Sequence, residues 1–274
     1  QARGFLMGGT AGRTTLNGEG LQHEDGHSHI MSSLIPNCVS YDPAFGHELA
    51  VIIQHGMKRM VEDQENVFYY ITIMNENYAH PGLKQGDEDG IIRGMYKLQS
   101  NGKEKDKLRV QLMGSGTILR EVMAAQDMLL EDWGVSSDLW SVTSFTELRR
   151  DGLDCERERL LHPERKDLPV PYVTRQLEKT SGPIVVSTDY VKLFGDQIRP
   201  FVPKGRSYNV LGTDGFGRSD FRYKLREHFE VDRRFVVLSA LRALADEGAI
   251  PLSKVSEAIK KYEVNPDKAN PQYA

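Results

Sequence analysis

The chain has 274 residues, 35 of them Lys or Arg against 39 Asp or Glu, for a formal net charge of −4. That length allows one or two domains with a full hydrophobic core, and the charge balance excludes general nucleic-acid binding, which needs a net positive face. Hydrophobic residues make up 39% and charged residues 27%, so a disordered or membrane-embedded chain is also excluded. The weakly charged stretch 28–41 is too short and too polar to cross a bilayer. Two cysteines, Cys38 and Cys155, do not build a disulfide framework and suit a reducing cytosol. The start, Gln-Ala-Arg-Gly-Phe-Leu-Met, carries no secretory signal, and its first residue is Gln, so the chain is expected to begin inside a longer gene product.

From residue 1 to about 33, glycine and polar residues dominate and predict loop. Tyr41-Asp42-Pro43 predicts a helix start, with Asp42 as the cap and Pro43 where its missing N–H costs nothing. Phe45, Leu49, Ile52, Ile53, Met57 and Met60 follow at helical spacing. Residues 67–73 are β-branched and aromatic throughout, as expected of a strand buried on both faces. The acidic run 86–90 predicts a solvated loop, and the charged stretch 101–107 a domain boundary. Beyond it, strand signals at 110–113, 139–145, 184–187 and 209–211 alternate with helical stretches near 117–133, 189–202, 220–230, 233–245 and 252–262. That order predicts an α/β fold with a largely parallel sheet covered by helices.

Chemistry concentrates in one place. Gly18-Glu19-Gly20-Leu21-Gln22-His23-Glu24-Asp25-Gly26-His27-Ser28-His29 puts three histidines within seven residues, flanked by carboxylates and glycines. Histidine exchanges protons near neutral pH, and glycines let the backbone approach a ligand closely. The plain alternative is a solvated polar loop. A second alternative is a zinc site on His23, His27 and His29 with Glu24 and Asp25, and hence a metal-dependent hydrolase, although all these ligands fall in one short loop. Gly114-Ser115-Gly116 reads as a tight strand-to-helix turn, because Leu119 breaks the dinucleotide fingerprint. The glycine-rich run 212–220 reads either as packing around Phe216 or as backbone amides that hold an anion. Asn75-Glu76-Asn77-Tyr78, after the strongest strand, stands where α/β sheets face a ligand crevice. The mixed charges of 147–166 read as a solvated or interface surface, and Cys155 within them lacks a base partner.

Four runs resemble the homodimeric bacterial pyruvate dehydrogenases, the decarboxylating component of the pyruvate dehydrogenase complex. They are Gly9 through His29, Tyr70-Ile71-Thr72 with Asn75-Glu76-Asn77-Tyr78, Ser141 through Leu148, and Leu211 through Asp220. The resemblance extends to the last residue. It implies a transketolase-like α/β fold in which residues 1–104 are the later part of the pyrimidine-binding domain and residues 105–274 a transketolase C-terminal-like domain. It implies thiamine diphosphate and Mg2+ as cofactors of the intact enzyme, held by residues upstream of this chain, so that the chain alone is inactive and binds neither tightly. Pyruvate, the lipoyl domain of dihydrolipoyl acetyltransferase and a second copy of the enzyme are the implied partners, with no nucleic acid and no membrane, in a bacterial cytoplasm. The match places His23 first as the active-site imidazole, with His27 and His29 as second candidates. A non-catalytic dimerisation or assembly module remains the competing reading. If the leading strands of the first unit are missing, exposed sheet edges are expected to drive association.

Overall fold

A computed structural model describes residues 2–103 and 105–274. In chain order the first unit contains strand β1 (Phe5–Gly9), helix α1 (Ser28–Ser33), strand β2 (Cys38–Tyr41), helix α2 (Gly46–Met57) and strand β3 (Phe68–Ile73). The β-branched run forms β3 as expected, and it is the middle strand of a parallel sheet ordered β1-β3-β2. It is fully buried at Tyr69 and Ile71, while on the opposite face Phe68 and Tyr70 are only half-buried and Thr72 is buried, so that second face is partly open. β1 arises within the glycine-rich stretch read as loop, because Phe5-Leu6-Met7 finds a partner edge on β3 some sixty residues later.

The second unit follows helix α3 (Asp87–Arg93), which occupies the acidic run expected to be loop. Its aspartates and glutamate lie in the first turn, where the helix dipole favours them. Next come β4 (Met95–Ser100), β5 (Arg109–Gly114), α4 (Leu119–Trp133), β6 (Ser136–Val142), α5 (Phe145–Leu161), α6 (Tyr172–Leu177), β7 (Ile184–Ser187), α7 (Lys192–Asp196), β8 (Tyr208–Leu211), α8 (Arg222–His228), α9 (Arg233–Asp246) and α10 (Ser253–Lys261). The sheet order is β4-β6-β5-β7-β8, parallel except where β4 runs antiparallel to β6. β4 thus belongs to the second sheet although it precedes the expected boundary, whose residue 104 lies outside the described residues. Alternation along β5 sends Val110 and Leu112 into a core with α4 and α9, and Met113 into a second core with α5, α6 and α7. α5 is capped by Ser144, whose Oγ accepts the Glu147 N–H at 3.0 Å, and α9 by Asp232, which accepts from Arg234 and Phe235.

One helix start differs from its sequence reading. α2 begins at Gly46, and Asp42 does not cap it. The cap comes from the buried Glu48, whose Oε2 accepts the N–H groups of Ala44 at 2.6 Å and Phe45 at 3.0 Å. Its Oε1 accepts the hydroxyls of Tyr96 at 2.8 Å and Ser141 at 2.6 Å, both in the second unit. One carboxylate therefore ends a helix and fastens two sheets together. Glu48→Ala leaves two amides and two hydroxyls without an acceptor and is expected to cost about 3 kcal/mol or more, with Glu48→Gln milder. Chemical denaturation of the three proteins checks this, and equal stability of wild type and Glu48→Ala would remove the clamp.

Candidate functional site

The two parallel sheets meet at the carboxyl ends of their strands, where α/β proteins place their ligand-facing groups. Asp42, just after β2, donates its N–H to the Thr143 carbonyl at 2.8 Å, and its own carbonyl accepts from Gly116 at 3.1 Å. Gly116 has φ +49, and a Cβ there would lie 2.6 Å from the Asp42 carboxylate, so the Gly-Ser-Gly turn uses its second glycine to admit that side chain. The Thr72 hydroxyl at the end of β3 donates to Asp42 Oδ1 at 2.7 Å. Thr72 has one proton to give, so the 3.0 Å contact from His29 Nε2 is an N–H donated to the threonine oxygen. The His29 ring is wholly buried, stacked 4.6 Å from Phe194 and edge-on to Tyr190 at 4.6 Å. On the other side of the seam, Asp189 after β7 accepts the Thr14 N–H at 3.1 Å.

The histidine segment divides into three environments. His23 ends a single 3-10 turn (Leu21–His23) and is exposed, with no side-chain hydrogen bond among the described residues. His27 is also exposed, its Nδ1 3.4 Å from Arg13 Nη2. His29 is sealed in the seam. The two carboxylates of the segment turn to other work. Asp25 Oδ1 accepts the N–H groups of His27 and Ser28, each at 3.0 Å, closing the turn that starts α1. Glu24 is buried and accepts the Arg218 N–H at 2.7 Å. Among the described residues no three His, Cys, Asp or Glu side chains are placed to hold a metal ion. The five zinc-ligand candidates thus lie close in sequence but do not converge, with four held by different partners and His23 by none among the described residues.

Electrostatics follow burial. Desolvation pushes the carboxyls of Asp42 and Asp189 up to about 7, against the hydrogen bonds from Thr72 and Thr14. It also pushes Glu24 up to about 7 and holds His29 down to about 3, so that ring is neutral at cellular pH. Asp42 Oδ2, Asp189 Oδ1, His29 Nδ1 and the Tyr190 hydroxyl are buried with no hydrogen-bond partner among the described residues. Glu76 behaves differently. Burial would raise it, but Arg226 and Arg120, the latter 2.5 Å away, hold it below the usual carboxylate range. The second expected ligand position is therefore committed to an ion-pair network that also joins Glu121 and Arg233. Sequence reasoning missed Asp42, Thr72 and Asp189 as site residues. Only their positions at or just past the carboxyl ends of parallel strands could have signalled them.

Two family models match the chain: the pyruvate dehydrogenase E1 component middle domain over residues 1–81, and the transketolase-like TK C-terminal domain over residues 94–232. Among solved structures, a Pichia stipitis transketolase in complex with sedoheptulose-7-phosphate aligns with a TM-score of 0.61 at 15% identity, covering 88% of this chain and 30% of that one. A structure described as a split-gene transketolase, inactive beta4 tetramer, aligns with a TM-score of 0.55 at 13% identity, covering 88% of this chain and 67% of that one. The fold is thus transketolase-like. Pyruvate dehydrogenase E1 components from Cupriavidus necator and Pseudomonas aeruginosa are 60% and 59% identical over 271 residues, which is 99% of this chain and 30% of each relative. The Escherichia coli K12 component is 57% identical over 275 residues, covering all of this chain and 30% of its own length. The chain belongs to the pyruvate dehydrogenase E1 family and spans about a third of the length of these relatives.

The seam carries a pH signature. Asp42 titrates near 7 when folded and near the ordinary carboxylate value when unfolded, so the folded state holds an extra proton between those values. Stability contributed at this position is then full below the unfolded value and is lost as pH rises toward 7. Asp42→Asn abolishes that dependence. Relative to wild type, the variant is expected to gain stability from about pH 4 to about pH 7 and to level off above that. A thermal-unfolding difference that stays flat across this range would show that Asp42 is not a desolvated acid.

Proposed function

We propose that this chain is the C-terminal part of a thiamine-diphosphate-dependent enzyme that decarboxylates pyruvate and passes the acetyl group to a lipoyl group of an acyltransferase partner, and that His23 is its acid–base imidazole. The observation that carries the role of His23 is positional: it is exposed directly before Glu24 and Asp25, whose carboxylates are fixed by hydrogen bonds to Arg218 and to the start of α1. A solvent-facing imidazole can take and return a proton, whereas His29, buried and donating to Thr72, serves to hold the segment in place. His27, beside Arg13, takes a supporting place at the edge of the same turn. We further place the boundary between the units before β4, since that strand pairs with β6 and the two matched families leave a gap between residues 81 and 94.

The described residues do not fit the cofactor. The orphaned polar atoms of Asp42, Asp189, His29 and Tyr190 are sealed in the seam, and among the described residues no three ligands converge for a divalent cation, so no residue of this chain is assigned to the diphosphate or to Mg2+. When bound to the intact enzyme, the cofactor supplies the electron sink for carbon–carbon cleavage. The share of this chain is to present His23, to exclude water from the seam and to carry part of the dimer. Its inactivity in isolation follows, and the split-gene transketolase described as inactive is consistent with that expectation. No helix among the described residues is long and apolar enough to cross a membrane.

In the full-length enzyme, His23→Ala is expected to lower turnover of the lipoyl-linked reaction by about 10²-fold or more, the effect of losing a positioned acid–base group. Near-normal turnover in that variant would take His23 out of the mechanism. For the isolated chain, circular dichroism during a thiamine diphosphate titration should show no tight, Mg2+-dependent binding. Saturation at a low micromolar concentration, about 10 μM or below, would overturn the assignment of the cofactor seat to upstream residues.

A further inference from the structure

The glycine-rich loop 212–220, between β8 and α8, has no part in the reading above, yet its contacts converge on the histidine segment. Glu24 Oε2 accepts the Arg218 N–H at 2.7 Å. Arg13 Nη1 donates to the Gly215 carbonyl at 2.6 Å, and Gly18 donates its N–H to the Asp220 carbonyl at 3.0 Å. Just beyond the loop, Arg222 donates through Nε to the Thr15 carbonyl at 2.6 Å. The two strands of chain approach so closely at Gly217 that a Cβ there would lie 2.6 Å from the Leu21 carbonyl and 3.0 Å from Glu24 Cβ. Phe216 is 75% exposed, so the loop does not pack around that ring. The Arg218 amide that could greet an anion is already taken by Glu24. From behind, the carboxyl-terminal residues brace the loop: Arg218 Nη2 donates to the Ala274 carbonyl, and a Cβ on Gly215 would run into Pro271.

We propose that Glu24 is a positioning residue: by clasping the loop 212–220 it fixes the turn that presents His23, its neighbour in sequence. The carboxylate is 6% exposed, so water does not compete for the Arg218 amide, and the remaining stitches are backbone or arginine contacts on either side of it. Removing this acceptor frees both the loop and the turn, while the seam below stays closed through Asp42, Thr72 and His29. The inference rests on the assignment of His23 as the acid–base group.

The test uses the full-length enzyme and two readouts. Glu24→Ala is expected to lower kcat by about 10-fold or more while KM for pyruvate stays within about twofold, since ordering is lost rather than substrate contact. Hydrogen–deuterium exchange should accelerate in both 17–27 and 212–220. Glu24→Gln, which keeps an acceptor oxygen, should restore both readouts toward wild type. Unchanged exchange in either segment of Glu24→Ala overturns the clasp, as does failure of Glu24→Gln to restore kcat. If Glu24→Ala does not fold, Gly217→Ala forces the same two segments apart, and normal exchange with normal kcat in that variant overturns the proposal. Faster exchange with rescue by Gln, together with normal turnover in His23→Ala, establishes the clasp and retires the acid–base reading of His23.

Discussion

The arrangement depends on burying carboxyl groups where two parallel sheets abut end to end. Each sheet presents loops, backbone amides and strand-end side chains at its carboxyl edge, and joining two such edges forces polar atoms out of water. The structure satisfies most of them across the seam. Asp42 takes Thr143 and Gly116 through its backbone and Thr72 through its side chain, and Glu48 serves two amides and two hydroxyls at once. Atoms are left unpaired on Asp42, Asp189, His29 and Tyr190, and desolvation there pushes the two acids up to about 7 and keeps the imidazole neutral at cellular pH. A seam of this kind holds two units in one relative orientation because sliding would strand each of these groups.

That fixed orientation gives the amino-terminal segment its function. Residues 10–29 contain one 3-10 turn and the first turn of a short helix, too little regular structure to hold a reactive side chain by themselves. They gain rigidity from both units: Thr72 and the β1 register on one side, Asp189 and the loop 212–220 on the other. The three histidines, alike in sequence, end with two rings exposed and one sealed from water as a result. Placing a mobile-looking loop between two rigid bodies allows an exposed imidazole to coexist with a buried one six residues away.

Regular elements were legible where the side chains alone decide them. β3 and β7 are largely apolar or aromatic runs of strand length, β5 carries Val110, Leu112 and Met113, and α4 and α9 carry one buried stripe each, so their sequences state what they become. β1 and β4 were not legible because each is made by its partner strand. Phe5-Leu6-Met7 and the mixed Met95–Ser100 have no pattern strong enough to declare a strand without β3 or β6 beside it. Asp42 was misread because an Asp-Pro pair before a helical pattern is a local capping signal, and tertiary contact with Thr72 and the Gly116 amide overrode it. The histidine segment was recognised from its composition, but the burial of His29 depends on Thr72, Tyr190 and Phe194, which the segment itself does not announce.

The stitches that fix this segment span most of the polypeptide. Arg13 reaches Gly215, Glu24 reaches Arg218 and Thr15 reaches Arg222, separations of 202, 194 and 207 residues. A ribosome adds about 5–20 residues each second, so the early histidines wait at least about ten seconds before their docking partners emerge. During that interval the segment is a hydrophilic stretch that exposes no apolar hazard. Its glycine- and charge-rich makeup therefore suits a stretch that must remain soluble first and become rigid last.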